Sequence, residues 1–282
     1  MAEQSGICVR RIDVGRLTLN IREIGEGPLA IFLHGITSNS AIWDPILFNL
    51  KDRLHSVAID QRGHGLSDKP ERGYEAEDYA RDVIALIEKL GLGRAILIGN
   101  SLGARNSIVT AGLRPDLIQS VIAIDFTPFI EREVMDALET RVKAGDRTFR
   151  SRDEIEAYLC DRYPLMPPDA IRRRAMSAYE SIGAELRPRA VPAAMMQTVI
   201  GLREELESAL KAVTRPVLIV RGAKSKFVSV EAFEKTRHLR PDLPTLVVPN
   251  VDHYVNEEAP EVITKAIFDF VAGNIASHPS PK

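Results

Sequence analysis

The chain has 282 residues, a net charge of −2, 45% hydrophobic residues and 2 cysteines. That apolar content is ordinary for a folded protein and excludes a disordered one, and the near balance of charge gives no reason to expect a nucleic-acid partner. Cys8 and Cys160 are too far apart for a metal-ligand pattern, so a disulfide scaffold or a zinc ribbon is excluded, and the length suits one large domain or a domain with an insertion.

The start, Met1 to Gly6, lacks the basic residues and apolar run of a signal peptide. The apolar runs of the chain are far shorter than the roughly 20 residues that span a bilayer. A cytoplasmic protein without a membrane partner is expected. Residues 12–14 and 17–21 alternate apolar and polar around Gly15 and predict a β-hairpin. Six further apolar runs follow, at 29–33, 56–59, 95–98, 121–124, 217–220 and 245–248. They are apolar on both faces, as strands of a covered parallel sheet are. Helical patterns lie near 78–90, 102–113, 229–239 and 257–272. This alternation predicts an α/β fold with a mostly parallel sheet.

The alternation breaks once, between 124 and 217. Helical patterns fit near 131–144, 151–161, 167–180 and 192–211, with no strand signal and with Pro164, Pro167 and Pro168 as punctuation. The organisation read from this is a core of 1–126 and 213–282, with a helical cap of 127–212 inserted before the last two strands. Such a cap is expected over the carboxyl ends of the strands, where open α/β sheets bind ligands. The tail from Ser277 to Lys282 is expected to fray.

The chemistry falls at strand ends. Gly99-Asn100-Ser101-Leu102-Gly103 has the form G-x-S-x-G between a buried strand and a helical pattern. Small glycines let the chain turn sharply, leaving Ser101 at the apex with its hydroxyl exposed. A serine needs a base to become a nucleophile. His253 follows the last apolar run and precedes the last helix, where the third member of a Ser, acid, His order belongs. His34, His55, His64, His238 and His278 are better explained by turns, a strand start, a helix or the tail. The loop after 217–220, a common place for the acid, has no carboxylate before Glu231, which falls on the following helix. Asp125, at the end of the strand before the cap, is therefore chosen, since geometry and not chain position defines the role. Asp252 is adjacent to His253 and points elsewhere. Oxyanion stabilisation needs two backbone N–H donors, expected from Leu102 and from Ile36 in His34-Gly35-Ile36-Thr37.

In this order His34-Gly35, Asp60-Gln-Arg-Gly-His-Gly-Leu-Ser67, Gly99-Asn-Ser-Leu-Gly103 and Asp252-His253 resemble the α/β-hydrolase superfamily over essentially the whole chain. Residues 34–40, 60–70, 101–106, 123–128 and 252–256 are similar to a bacterial family of amide hydrolases in vitamin B6 (pyridoxine) degradation. That family releases acetate, ammonia, carbon dioxide and succinic semialdehyde from an unsaturated dicarboxylate, and it takes its triad acid from the strand before the cap. The resemblance implies an α/β-hydrolase fold, a small dicarboxylate substrate, no metal or organic cofactor, and substrate binding by Arg141, Arg162, Tyr163 and Ser225. The planar fork of arginine suits carboxylates. Yet residues 131–189 hold 12 basic residues and 12 acids, so a surface ion pair also explains any one arginine. Arg172-Arg-Arg174 reads as a solvated helix face. Asn100 stands where that superfamily commonly has histidine, a departure that bears on the pocket wall and on the identity of the substrate, not on the triad. Two alternatives stay open. One is another hydrolase of this fold, a carboxylesterase or a carbon–carbon bond hydrolase on a small acidic substrate. The other is a ligand-binding protein on a hydrolase scaffold. The oligomeric state is also open, with a dimer one option.

Overall fold

The computed structural model describes residues 6–275, so the readings of residues 1–5 and of the tail from Ser277 lie outside the described residues. The first half runs β1 (Cys8–Asp13), β2 (Thr18–Ile24), β3 (Leu29–Leu33), α1 (Asp44–Leu50), β4 (His55–Ile59), α2 (Ala76–Leu90), β5 (Ala95–Asn100), α3 (Leu102–Leu113) and β6 (Ile118–Ile124). An eight-stranded sheet has the order β1-β2-β4-β3-β5-β6-β9-β10, where β9 is Val217–Gly222 and β10 is Thr245–Val248, with α9 (Val230–Leu239) between them in the chain. β1 pairs antiparallel with β2, and β2 antiparallel with β4. All later neighbours are parallel. The sheet is thus mostly parallel with an antiparallel hairpin at one edge, as the alternation predicted.

Both faces are covered because alternate strand residues pack in opposite directions. Ile31 and Leu97 join one apolar cluster with Val83, Leu86, Ile108 and Ala111 of α2 and α3. Phe32 and Ile98 join the other, with Ile46, Leu47 and Leu50 of α1 and Ile263 and Ile267 of α11 (Pro260–Val271). The short helix α1 escapes the sequence reading, although Trp43, Ile46, Leu47 and Leu50 form one buried face. The pattern expected at 257–272 divides into α10 (Val255–Glu258) and α11, because Pro260 starts a new helix.

Residues 127–212 lie between β6 and β9. They form α4 (Arg132–Ala144), α5 (Arg152–Arg162), α6 (Pro168–Ser177), β7 (Tyr179–Ile182), β8 (Glu185–Pro188), α7 (Pro192–Gly201) and α8 (Glu207–Ala212). The expectation of helices alone is corrected here. β7 and β8 pair as a two-stranded antiparallel hairpin, turned through Gly183 at φ 63°. Each strand is only 4 residues, too short for a clear period-two signal. The long pattern at 192–211 also divides. A Cβ on Gly201 would lie 2.6 Å from the Tyr74 carbonyl oxygen, so α7 ends against the core at a residue without one.

Close backbone approach makes two glycines of the Ser101 turn structural. A Cβ on Gly99 would lie 2.2 Å from the Gly103 carbonyl carbon, and one on Gly103 would lie 2.1 Å from the Leu33 carbonyl oxygen. β3, β5 and α3 therefore meet only if both side chains are absent. Gly103→Ala is expected to lower the unfolding free energy by ~1–3 kcal/mol or more through overpacking. Urea unfolding checks this, and a change below ~0.5 kcal/mol, ordinary for an unstrained surface site, would contradict it.

Candidate active site

Ser101 caps the N-terminus of α3 with φ 54° and ψ −115°, a conformation that L-residues rarely adopt. Its N–H donates to the Ile124 carbonyl at 2.9 Å, which ties the turn to β6. Asp125, the next residue after β6, also has a positive φ of 50° and donates its N–H to the Val220 carbonyl at 2.7 Å. Its carboxylate is fully buried. Gly222 N–H donates to Oδ1 at 2.9 Å, while Ser225 Oγ–H and His253 Nδ1–H donate to Oδ2 at 2.5 and 2.6 Å. These three donors occupy the lone pairs of a carboxyl group that has no access to water. The bond from Nδ1–H leaves the Nε2 lone pair of His253 free, the tautomer a general base needs.

The loop bearing His253 is itself held. Asp252 Oδ1 accepts from His253 N–H at 2.8 Å and from Lys226 N–H at 3.1 Å. Asn100, 1% exposed, donates Nδ2–H to the His253 carbonyl at 3.1 Å. The side chain of Asn100 fastens the histidine loop beneath the site and does not line the cavity of Ser101 and His253. Gly222 allows that loop to approach, since a Cβ there would lie 2.1 Å from the Asp252 carbonyl oxygen.

Ser101 and His253 line one cavity of about 440 Å3, together with Ile36, Arg141, Arg162 and Tyr163. Ile36 and Leu102 N–H groups donate to no acceptor among the described residues. Leu102 is the first residue of α3, where an N–H has no partner within the helix. The loop that carries Ile36 is braced by two neutral histidines. Thr37, at φ 62°, donates its N–H to His64 Nε2 at 3.1 Å, and His64 Nδ1–H donates to the Arg62 carbonyl at 2.8 Å. His34 Nδ1–H donates to the Gly35 carbonyl at 2.7 Å and its Nε2 accepts from Gln61 N–H at 3.0 Å. Burial, with the Arg174 charge, holds His34 down to about 4. Burial and the neighbouring His34 hold His64 down to about 3.

Arg141 and Arg162 are linked through each other's backbone. Arg162 Nη2–H donates to the Arg141 carbonyl at 2.8 Å and Arg141 Nη2–H to the Arg162 carbonyl at 3.2 Å. Arg162 also donates to the hydroxyls of Tyr158 at 2.8 Å and Tyr163 at 3.3 Å. Neither guanidinium has a carboxylate partner among the described residues. Tyr163 and Tyr254 meet edge to face at 4.8 Å, with Arg141 over the Tyr163 ring at 4.9 Å. Burial raises the Tyr163 phenol, but Arg174, Arg162 and Arg141 more than offset this and bring it below its ordinary value.

Ser225 is a correction. Its hydroxyl donates to Asp125 and accepts from Phe227 and Val228 N–H at 3.2 and 3.0 Å, so it braces the acid, and it does not line the cavity of Ser101 and His253. Arg174 is another. It is 5% exposed, bonded through Nε to Glu257 at 3.0 and 3.1 Å, and lies 4.8 Å over both Tyr163 and Tyr254. A solvated face does not describe it. Ile171, Arg174 and Ala175 are all buried at helical spacing, a signal readable in the sequence. Among the described residues no cluster of three or more His, Cys, Asp or Glu side chains is placed to hold a metal, and no helix is long and apolar enough to cross a membrane.

The alpha/beta hydrolase family matches residues 30–266. The 2-(acetamidomethylene)succinate hydrolase of Mesorhizobium japonicum is 59% identical over 262 residues, 93% of this chain and 94% of that protein. The crystal structure of E-2-(acetamidomethylene)succinate hydrolase matches with a TM-score of 0.93 at 58% identity, covering 94% of this chain and 99% of that one. An epoxide hydrolase from Vigna radiata shares the fold, at a TM-score of 0.75 and 21% identity over 95% of this chain and 98% of its own.

The two braced histidines set a pH dependence. Between pH 6.5, the ordinary histidine value, and about 4 the unfolded chain protonates His34 while the folded chain does not. The same holds for His64 down to about 3. The unfolded state binds more protons there, so stability present above pH 6.5 is lost as the pH falls, by about 1.4 kcal/mol per pH unit for each histidine. His64→Gln is expected to reduce the slope of unfolding free energy against pH by that share between pH 6 and 4. Denaturant unfolding of both proteins across this range checks it, and identical slopes would contradict it.

Proposed function

The chain belongs to the alpha/beta hydrolase family, and from that premise we propose that it cleaves the acetamide of (E)-2-(acetamidomethylene)succinate to acetate, ammonia, carbon dioxide and succinic semialdehyde. The observation that carries this reading is the cavity itself. It joins Ser101 and His253 to Arg141 and Arg162, two half-buried guanidiniums without carboxylate partners among the described residues. A dicarboxylate supplies both missing counter-charges, and arginine forks bind such groups through paired hydrogen bonds. The similarity to hydrolases of that name supports the same substrate.

The mechanism follows from the assigned roles. His253 Nε2 takes the Ser101 proton while Asp125 orients the ring and stabilises the imidazolium. Ser101 Oγ attacks the acetamide carbonyl. The Ile36 and Leu102 N–H groups stabilise the tetrahedral oxyanion; one such donor is worth about 10²–10³ in rate. The C–N bond breaks as His253 returns the proton to the enamine nitrogen. Conjugation of that nitrogen with the neighbouring carboxylate makes it a better leaving group than a simple amine. Water, activated by His253, then hydrolyses the acetyl-enzyme to acetate. The released aminomethylene succinate tautomerises, loses ammonia to water and decarboxylates. Ser225 is assigned to bracing Asp125, and Tyr163 to the wall that holds the two arginines.

Two substrates separate the parts. On (E)-2-(acetamidomethylene)succinate, Asp125→Asn is expected to lower kcat by about 10⁴. Arg141→Met and Arg162→Met are each expected to lower kcat/KM by about 10–100-fold through lost charged hydrogen bonds. On p-nitrophenyl acetate, which has no carboxylate, the arginine variants are expected to fall only about two- to threefold, while Asp125→Asn falls as before. Acetate release and nitrophenol absorbance are the readouts. Equal losses on both substrates would contradict the arginine assignment, and no turnover of the dicarboxylate by the wild type would contradict the substrate.

A further inference from the structure

Two cavities reach Ser101 from different sides. The one described above holds Ser101 with His253 and the arginines. A second, of about 350 Å3, holds Ser101 and Leu102 but not His253. Phe126, Ile130, Met135, Leu202, Leu206 and Phe227 form an apolar side of it, while the buried Arg105, Asp125 and Thr127 line the rest of its interior. Of the apolar residues, Phe126, Met135, Leu202 and Leu206 are buried. Arg203, Glu204 and Glu205 stand at its exposed edge.

Acyl transfer sorts the substrate between these spaces. The leaving group must face the base that protonates it, and the acyl substituent points away from that base once the oxyanion is fixed. With the oxyanion at Ile36 and Leu102, the leaving group takes the cavity that contains His253. The acyl substituent is directed into the cavity that contains Leu102 and lacks His253. An acetyl methyl is about as large as a water molecule, which takes about 30 Å3 of liquid. It leaves most of a space of about 350 Å3 empty.

We propose that this second cavity is an acyl pocket, and that the enzyme also hydrolyses amides and esters of straight-chain acids of about four to six carbons. The proposal rests on Ser101 as the nucleophile and extends the substrate class beyond acetyl. In each turnover the bond from Ser101 Oγ to the acyl carbon forms and the bond to the leaving group breaks. The serine proton passes through His253 to the leaving atom, and water then releases the acid. Each added methylene placed against the apolar wall is worth about a three- to fourfold rise in kcat/KM.

The test uses p-nitrophenyl acetate, butyrate and hexanoate with the full chain. The expected result is a kcat/KM about tenfold higher for butyrate than for acetate. Leu202→Phe and Ile130→Trp, which fill the cavity from two different walls, are expected to bring the butyrate-to-acetate ratio toward one. Two variants guard against one that fails to fold, and circular dichroism identifies the folded ones. A wild-type ratio at or below one overturns the proposal. So does a ratio that the folded variants leave unchanged, because the acyl chain then lies elsewhere. Lack of turnover of every ester by a protein that cleaves (E)-2-(acetamidomethylene)succinate overturns it too. Failure on that dicarboxylate with the ester series intact overturns the proposed function and leaves the acyl pocket standing.

Discussion

The buried carboxylate of Asp125 is the constraint around which the site is organised. A carboxyl group at zero exposure is costly unless its oxygens find hydrogen-bond partners. Here Gly222, Ser225 and His253 are those partners, at 2.9, 2.5 and 2.6 Å. These donors come from the end of β9, from the loop that follows it and from the loop after β10. One carboxyl group thus draws together the ends of three parallel strands, with Ser101 tied to β6 beside them. The positive φ of Asp125 turns the carboxylate back toward β9. The loop after β9 carries no acid of its own and contributes a serine hydroxyl to its neighbour's acid. In the proposed mechanism this arrangement keeps His253 in one tautomer and ready to accept the Ser101 proton.

A second layer lies above the first. Arg174 on α6 pairs with Glu257, four residues beyond His253, and spreads over Tyr163 and Tyr254. Breaking one partner of such a buried pair typically costs about 3–5 kcal/mol, because the other charge is left uncompensated. The pair therefore fixes the residues 127–212 against the strand ends that bear the candidate triad. Arg174, Arg141 and Arg162 bring three positive charges to one aromatic cluster, and Glu257 supplies one negative charge. The imbalance accounts for the lowered Tyr163 phenol and, in the proposed reading, for the affinity of the cavity for a dicarboxylate.

Much of the strand framework was legible because apolar runs and the glycines at 99 and 103 act locally. Ser101 followed from a strand, two small residues and a helical pattern within ten residues. Asp125 followed from an absence, since the residues after β9 offered no carboxylate. Other features escaped because their partners are distant in the chain. Ser225 could be read as facing a substrate until its hydroxyl was seen on a residue 100 positions away. Asn100 stabilises a carbonyl 153 positions away. Arg174 follows two exposed-looking arginines, and only the burial of Ile171 and Ala175 marks its face. The hairpin of β7 and β8 gains its stability from Phe149 and Tyr179 in the cluster beneath it, not from strand propensity.

In the proposed mechanism Asp125, from the strand before the inserted segment, holds His253 in the tautomer with its proton on Nδ1. Proton and nitrogen magnetic resonance of protein labelled with nitrogen-15 at histidine tests this most directly. A short charge-assisted bond predicts a His253 Nδ1 proton far downfield of the amide region, coupled to its own nitrogen, in the wild type and absent in Asp125→Asn. A His253 ring protonated on Nε2 in the resting wild type, or a downfield Nδ1 proton that survives in Asp125→Asn, would contradict it.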